Sequence, residues 1–317
     1  MIGINKDSFI FDDIKEQYPY FYEASTILED SCFFFKNVLT ELKNIGLDYE
    51  YCEDICKKGF SLSDNNFGKY YENLHSLVLF SLEFLKLQVR LVKTGKYLYS
   101  SFKEVNRYVY NNPDRKLTGP WYMMALYFSQ VFWVTHYNVN KFFLEEICKG
   151  NKEDGLILEA PSGTGLFISN FLSRNPSWYG TALDLSDSAI EFTRRMVDTF
   201  DISEQVGLCK HDFFKYVPSF KYDIVLCGEF LEHLEKPEVA LDKLYSFVKD
   251  DGFVFLTVAV YASMIDHIYL YKSVEEVREQ IKNVGFSIDK ELVQNVFKNK
   301  GPEDSCTPIN YSVIIRK

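Results

Sequence analysis

The sequence predicts an α/β protein: an open, mostly parallel sheet covered by helices and finished by an antiparallel hairpin, behind an α-helical N-terminal domain. Three observations predict it. From Leu156 onward, short apolar runs alternate with helix-length segments. The last two apolar runs are separated by a Gly301-Pro302 turn. Before about residue 115, apolar residues recur instead at spacings of three, four and seven.

The helical part comes first. Tyr20 to Ile45 reads as a helix with Phe21, Ile27, Leu28, Phe34, Phe35, Val38, Leu39 and Leu42 on its apolar face. Ser63 or Asp64 is placed to cap a long helix running to Gly95, with Leu74, Leu77, Val78, Leu82, Leu85, Val89 and Val92 inward. Asn111-Asn112-Pro113-Asp114 breaks the pattern, and Trp121 to Lys149 resumes it. The alternating part follows, with strands at Leu156–Leu158, Trp178–Leu183, Val206–Cys209, Tyr222–Cys227 and Phe253–Val258. Helices are expected at Phe167–Leu172 and Ser188–Thr199, and the closing hairpin at Phe286–Phe297 and Asn310–Ile315. This divides the chain into a helical domain, 1–115, and a sheet domain, 116–317.

With 317 residues, 47% hydrophobic and 25% charged, the composition is that of a soluble globular protein. The net charge of −10, with no basic run, argues against nucleic acid as a partner. The opening residues lack a signal-type apolar core, and His75, Glu83, Lys86 and Arg90 interrupt the most apolar stretch, so no membrane partner is expected. The seven scattered cysteines fit a reducing cytoplasm, and no second pair joins Cys52 and Cys56 to make a zinc site.

The chemistry concentrates where the strands end. In Glu159-Ala-Pro-Ser-Gly163-Thr-Gly165, two glycines follow an apolar strand, letting the chain turn tightly and a ligand approach the backbone. Asp184 ends the second strand about twenty residues later, where a carboxylate can accept from ribose hydroxyls. Asp212 follows the third strand, able to reach an adenine amino group, with Phe213 beside it to flank the ring. Ligands of open α/β sheets lie at the carboxyl ends of the strands, so these acids should converge. Ile168 occupies the third glycine position of the dinucleotide pattern, which disfavours a nicotinamide or flavin dinucleotide.

These motifs, with Tyr222-Asp-Ile-Val-Leu-Cys-Gly-Glu-Phe-Leu-Glu-His-Leu234 and Lys249-Asp-Asp-Gly-Phe-Val-Phe-Leu-Thr257, resemble those of class I S-adenosylmethionine-dependent methyltransferases. The resemblance runs from about Leu117 to the C-terminus. It implies a Rossmann-like, seven-stranded methyltransferase sheet with S-adenosylmethionine as cofactor and S-adenosylhomocysteine as product. It also implies roles: Glu159, Gly163 and Gly165 at the first loop, Asp184 at the ribose, Asp212 and Phe213 at the adenine, and Gly228 with Glu229 near the reaction centre. Tyr122 and His136, in the stretch entering the sheet, are candidate pocket residues.

Methyl transfer from a sulfonium needs alignment and, for some acceptors, removal of a proton. Glu232, His233 and His267 are the candidate catalytic residues, with Glu229 and His233 sharing a face if the chain after strand four is helical. Glu229, Glu232, His233 and His267 are also similar to the acid, acid, histidine arrangement with which ubiquinone-pathway O-methyltransferases and small-RNA 3′-end methyltransferases hold a divalent ion, and mixed carboxylate and imidazole ligands suit Mg²⁺, Mn²⁺ or Zn²⁺. Glu-His after strand four is widespread among metal-free members of the family, so the preferred reading assigns no residue to a metal. The expected reaction is O- or N-methylation of a small molecule. The alternative is transfer or cyclisation through the cofactor's aminocarboxypropyl arm, releasing methylthioadenosine. The helical domain is expected to cap the crevice or to form a homodimer.

Overall fold

The computed structural model describes residues 9–111, 120–149, 152–297 and 306–317. The chain divides into two compact units, Met1–Leu82 with Met124–Tyr137, and Glu83–Met123 with Asn138–Lys317. The division does not follow the expected boundary near residue 115. Residues 83–111 cluster with the sheet because they are tied to it by side-chain hydrogen bonds. Gln88 donates to the Tyr261 carbonyl (2.8 Å) and accepts from the Ser263 N–H (2.9 Å), while the Tyr97 hydroxyl donates to the Ala262 carbonyl (2.8 Å).

The first unit is helical: α1 (Pro19–Ser31), α2 (Phe33–Ile45), α3 (Tyr49–Leu62), the first part of α4 (Phe67–Thr94) and much of α6 (Pro120–Phe132). The single helix expected over Tyr20–Ile45 is broken at Cys32, whose backbone is extended. The long helix starts at Phe67 because Asp64 and Asn65 both have positive φ, which ends α3 and forbids a helical start there. Helix α3 is capped by Asp48, which accepts from the Tyr51 N–H, and it buries Cys52, Ile55, Cys56, Gly59 and Leu62 at helical spacing. Gly59 lets the Phe128 ring press against the helix, since a Cβ there would lie 2.7 Å from that ring. Both α3 cysteines are free thiols, and burial raises their pKa.

The second unit is the predicted sheet. Its strands are β1 (Leu156–Glu159), β2 (Tyr179–Asp184), β3 (Val206–Lys210), β4 (Tyr222–Gly228), β5 (Val248–Val260), β6 (Ser287–Asn295) and β7 (Ile309–Arg316). Their order is β3-β2-β1-β4-β5-β7-β6, parallel through β5 and antiparallel for β7 and β6. The last strand inserts between β5 and β6, and the expected Gly301-Pro302 and Asn112-Pro113 turns lie outside the described residues. Helices α8 (Leu166–Leu172), α9 (Asp187–Thr199), α10 (Pro237–Phe247) and α11 (Val274–Val284) complete this unit with α7 (Val134–Glu146), most of which belongs to it.

Strand β4 is buried along nearly its whole length, as a central strand of a two-faced sheet must be. The absent third glycine of the first loop is compensated across the interface. A Cβ on Gly180 of β2 would fall 2.7 Å from Ile168 Cδ1 and 2.9 Å from Leu172 Cδ1, so the strand supplies the space that a helix glycine otherwise provides.

Candidate active site

The crevice begins at the end of β1. Glu159 is buried, and its Oε2 accepts from the Ile168 N–H (3.2 Å) in the first turn of α8, where the helix dipole favours a carboxylate. Burial nonetheless pushes its pKa well up. Gly163 and Gly165 both have positive φ, at 51° and 70°. A Cβ on Gly165 would lie 2.6 Å from Thr193 Cγ2, so that glycine serves the close approach of α9. Gly163 has open space where its Cβ would stand. Asp184, 8% exposed, joins the two strand ends: Oδ2 accepts from the Gly163 N–H (3.0 Å) and Oδ1 from the Ser186 N–H (2.9 Å). Burial raises its pKa, with these N–H groups acting in the opposite direction.

At the end of β3, Asp212 Oδ1 accepts from the Phe214 N–H (2.9 Å) and Oδ2 lies 3.2 Å from Lys215 Nζ. Burial works upward on this carboxyl, but the Phe214 N–H and Lys215 outweigh it and hold the pKa below the usual value. Phe213 does not present its ring to the surface beside Asp212. It is 6% exposed and packs on Phe230 and Phe247, with centroids 4.9 and 5.6 Å away, whereas Phe214 is 41% exposed. The alternation of two adjacent aromatics puts one ring inward, and the apolar core took Phe213.

The second half of the site is built after β4. A Cβ on Gly228 would meet the Phe167 ring at 3.3 Å. Glu229 is a non-glycine residue at φ 46°, a conformation that costs on the order of 1–3 kcal/mol and clusters at functional sites. Its N–H is held by the Thr257 carbonyl and hydroxyl (3.0 Å each), and its Oε1 accepts from Asn310 (3.3 Å). The chain then forms a 3-10 turn, Leu231–His233, and α10 starts only at Pro237. The shared helical face expected for Glu229 and His233 is therefore absent. Proline at the first turn of α10 fixes its start, and the residue before a proline disfavours helical backbone.

That turn brings Glu232 inside. It is 0% exposed; Oε1 accepts a long hydrogen bond from the Ala259 N–H (3.4 Å), and its carboxyl lies in hydrogen-bond contact with that of Glu229. Burial, reinforced by the neighbouring Glu229, pushes its pKa well up. The Glu232 carbonyl accepts from the Ile268 and Tyr269 N–H groups (2.7 and 3.0 Å), which draws the loop after β5 over it. This loop delivers His267. Burial lowers the His267 pKa to about 3, so its ring is neutral. His233 Nδ1 lies 3.1 Å from the Asp266 carbonyl, and His267 Nδ1 lies 2.9 Å from the Ala262 carbonyl. Glu232, His233 and His267 each offer a ligand atom within 4.8 Å of the others, and Glu229 is not in that group.

Three residues near this cluster carry no motif. The Tyr110 hydroxyl donates to Asp266 Oδ2 (3.1 Å). Tyr97 meets the His267 ring edge-on, with centroids 5.4 Å apart. Tyr110 closes a π-helical turn, Asn106–Tyr110, a rare geometry that is frequent at functional sites. The readable signal was the aromatic pair Tyr108 and Tyr110 just ahead of the Asn-Asn-Pro break. Tyr122 belongs to the same unit and feels the Asp266 charge, while burial raises its pKa. His136 belongs to the first unit, where its Nδ1 lies 2.9 Å from Ser129 Oγ and its ring packs on Trp133. It is not part of the cluster described here.

Residues 158–254 match the family model of the methyltransferase domain. Over those residues the chain carries a methyltransferase domain, and its sheet has the class I S-adenosylmethionine-dependent methyltransferase fold. Among solved structures, the mitomycin 7-O-methyltransferase MmcR has this fold, with a TM-score of 0.52 at 14% identity, over 74% of this chain and 68% of that one. A bifunctional methyltransferase of Rickettsia bellii (strain RML369-C) is 23% identical over 169 residues, 48% of this chain and 30% of that protein. A release factor glutamine methyltransferase of Streptococcus pneumoniae (strain ATCC BAA-255 / R6) is 30% identical over 117 residues, 34% of this chain and 41% of that protein. The chain thus spans less than half the length of either relative. S-Adenosylmethionine fits the methyltransferase crevice on this structure's own terms, with open space over Gly163 beside the buried Asp184 carboxylate. None of the helices among the described residues is long and apolar enough to cross a membrane.

Proposed function

We propose that the protein transfers the methyl group of S-adenosylmethionine to an oxygen or nitrogen of a small molecule. The carrying observation is the hydrogen bond from the Gly163 N–H to the buried Asp184 carboxylate, which brings the glycine loop and the acid of the second strand to one crevice. Asp184 holds the ribose hydroxyls, Gly163 and Gly165 leave the backbone open to the cofactor, and Asp212 marks the adenine end. Gly228, Glu229 and Tyr122 border the reacting groups, and Glu159 fixes the start of α8 behind them.

Transfer is a direct displacement, so the first task of the site is alignment of acceptor, methyl and sulfur. The second is removal of a proton from the acceptor, which falls to His233, the partly exposed member of the group, with Glu232 and His267 buried beside it. With its Nδ1 turned to the Asp266 carbonyl, the His233 ring keeps Nε2 for this work. A small acceptor is favoured by the burial of Glu232, Asp266 and His267 beside His233, and by the net charge of −10, which repels nucleic acid. The relatives include both a release factor methyltransferase and a mitomycin methyltransferase, so this choice rests on the site.

The test is product analysis. The protein is incubated with S-adenosylmethionine and a metabolite extract, and the adenosyl products are separated. S-Adenosylhomocysteine formation that Asp184→Ala suppresses supports the reading. Methylthioadenosine in its place would move the assignment to aminocarboxypropyl chemistry.

A further inference from the structure

We infer that the chain forms a homodimer in which α4 pairs antiparallel with the α4 of a second copy. The inference is independent of the chemistry proposed above. Helix α4, Phe67–Thr94, is apolar on more faces than the fold covers. Leu77, Val78, Leu87 and Leu91 are buried, whereas Leu82, Val89 and Val92, expected inward from their spacing, are about half exposed, as is Leu79. A helix that is apolar all round belongs in an interior, so this outer face calls for a cover.

The outer face has the spacing of a two-helix seam. Exposed residues fall at 72, 75, 79, 82, 86, 89 and 93, in strictly alternating steps of three and four. They lie on one unbroken helix, so their common face follows from helical geometry alone. This seven-residue repeat is the pattern by which one helix lies along another. Leu79 and Leu82 form its centre and Val89 extends it, while Glu72 marks one end and Lys86 and Lys93 the other.

Two observations make the occupant a second α4. Phe67, Tyr71, Leu79, Leu82, Val89 and Val92 are exposed large apolar residues of α4, and no other α-helix among the described residues carries more than one such residue. The matching apolar seam for α4 is therefore α4 itself, paired about a two-fold axis. The second observation is charge. With Leu82 of each copy against Leu79 of the other, antiparallel helices set Glu72 of each copy between Lys86 and Lys93 of the other, whereas parallel helices would set like charges together. Lys69, at the Glu72 end, is already paired with Asp64 (2.7 Å). Lys86 lies 3.5 Å from Glu83 in an exposed contact of little strength, which leaves it able to reach a partner.

The experiment is sedimentation equilibrium of the full-length protein over a concentration series reaching about 100 μM. The inference expects twice the mass of the chain. Leu82→Glu and, separately, Val89→Glu should each weaken association at least tenfold while circular dichroism stays unchanged, because both side chains face outward. Glu72→Lys should weaken it too, and adding Lys93→Glu to that variant should restore it. The paired exchange reads the antiparallel direction, and its surface positions keep the test readable if an apolar variant fails to fold. A monomeric parent protein, undiminished association of folded Leu82→Glu and Val89→Glu, or no restoration by the paired exchange would overturn it.

Discussion

The rings of His233 and His267 meet edge to face with centroids 4.9 Å apart, although 33 residues of chain separate the carbonyl-anchored His233 from Asp266, the neighbour of His267. Two loops, after β4 and after β5, hold this pair. His233→Ala is therefore expected to lower turnover by about two to four orders of magnitude, with S-adenosylhomocysteine affinity changed less than threefold. Steady-state kinetics beside calorimetric titration checks the split. A parallel loss of affinity would mean that His233 shapes the cofactor crevice instead.

Asp184 gives a pH prediction. Ribose hydroxyls donate better to the ionised carboxylate, and burial raises this carboxyl's pKa. S-Adenosylhomocysteine affinity should fall as pH drops, with a midpoint above the value of about 3.9 for a free aspartate. Asp184→Asn should remove the pH dependence and weaken binding by about 1.5–3 kcal/mol, the range for hydrogen bonds to charged groups. Titrations at several pH values read both effects, and a pH-independent parent protein would contradict the role.

Asp223 gives a stability prediction. Its buried carboxylate accepts from the Leu156 N–H (2.8 Å) and pairs with Lys249 (2.9 Å) and Lys152, fastening the start of β1 to β4. Burial pushes upward on this carboxyl, but Lys152, Lys249 and the Leu156 N–H together hold its pKa below the usual value. Its folded pKa is depressed, so its contribution is complete above the unfolded value of about 3.9 and is lost as pH falls through the folded pKa. Asp223→Ala should destabilise by about 1–3 kcal/mol at neutral pH, because it leaves the Leu156 N–H without its acceptor while the two partly exposed lysines return to water. Denaturant unfolding at pH 7 and pH 3 checks both the size and its loss in acid.

Much of the second unit was legible because its signals are local. An apolar run, a glycine loop and an acid at a strand end each declare themselves within a few residues, as Leu156–Asp184 shows. The insertion of β7 between β5 and β6 was not readable, since a hairpin pattern does not say which strand pairs with the sheet. The break at Cys32 was hidden because apolar periodicity continues through it. The backbone at Glu229 was hidden too: left-handed geometry on a glutamate has no sequence signature, and a helical reading of Glu229–His233 followed. Tyr110 and Asp266 lie far apart in sequence, and only the folded chain brings them together.

The most direct test of the methyltransferase assignment is the thermal melting of the purified protein with S-adenosylhomocysteine and, separately, with NADH. Binding to the folded state at a hundredfold excess over Kd stabilises by about 2.7 kcal/mol, a shift of several degrees. The account predicts that shift with S-adenosylhomocysteine alone, and its loss in Gly163→Val, where a branched side chain fills the open space over the loop. No shift in the parent protein, or an equal shift with NADH, would contradict it.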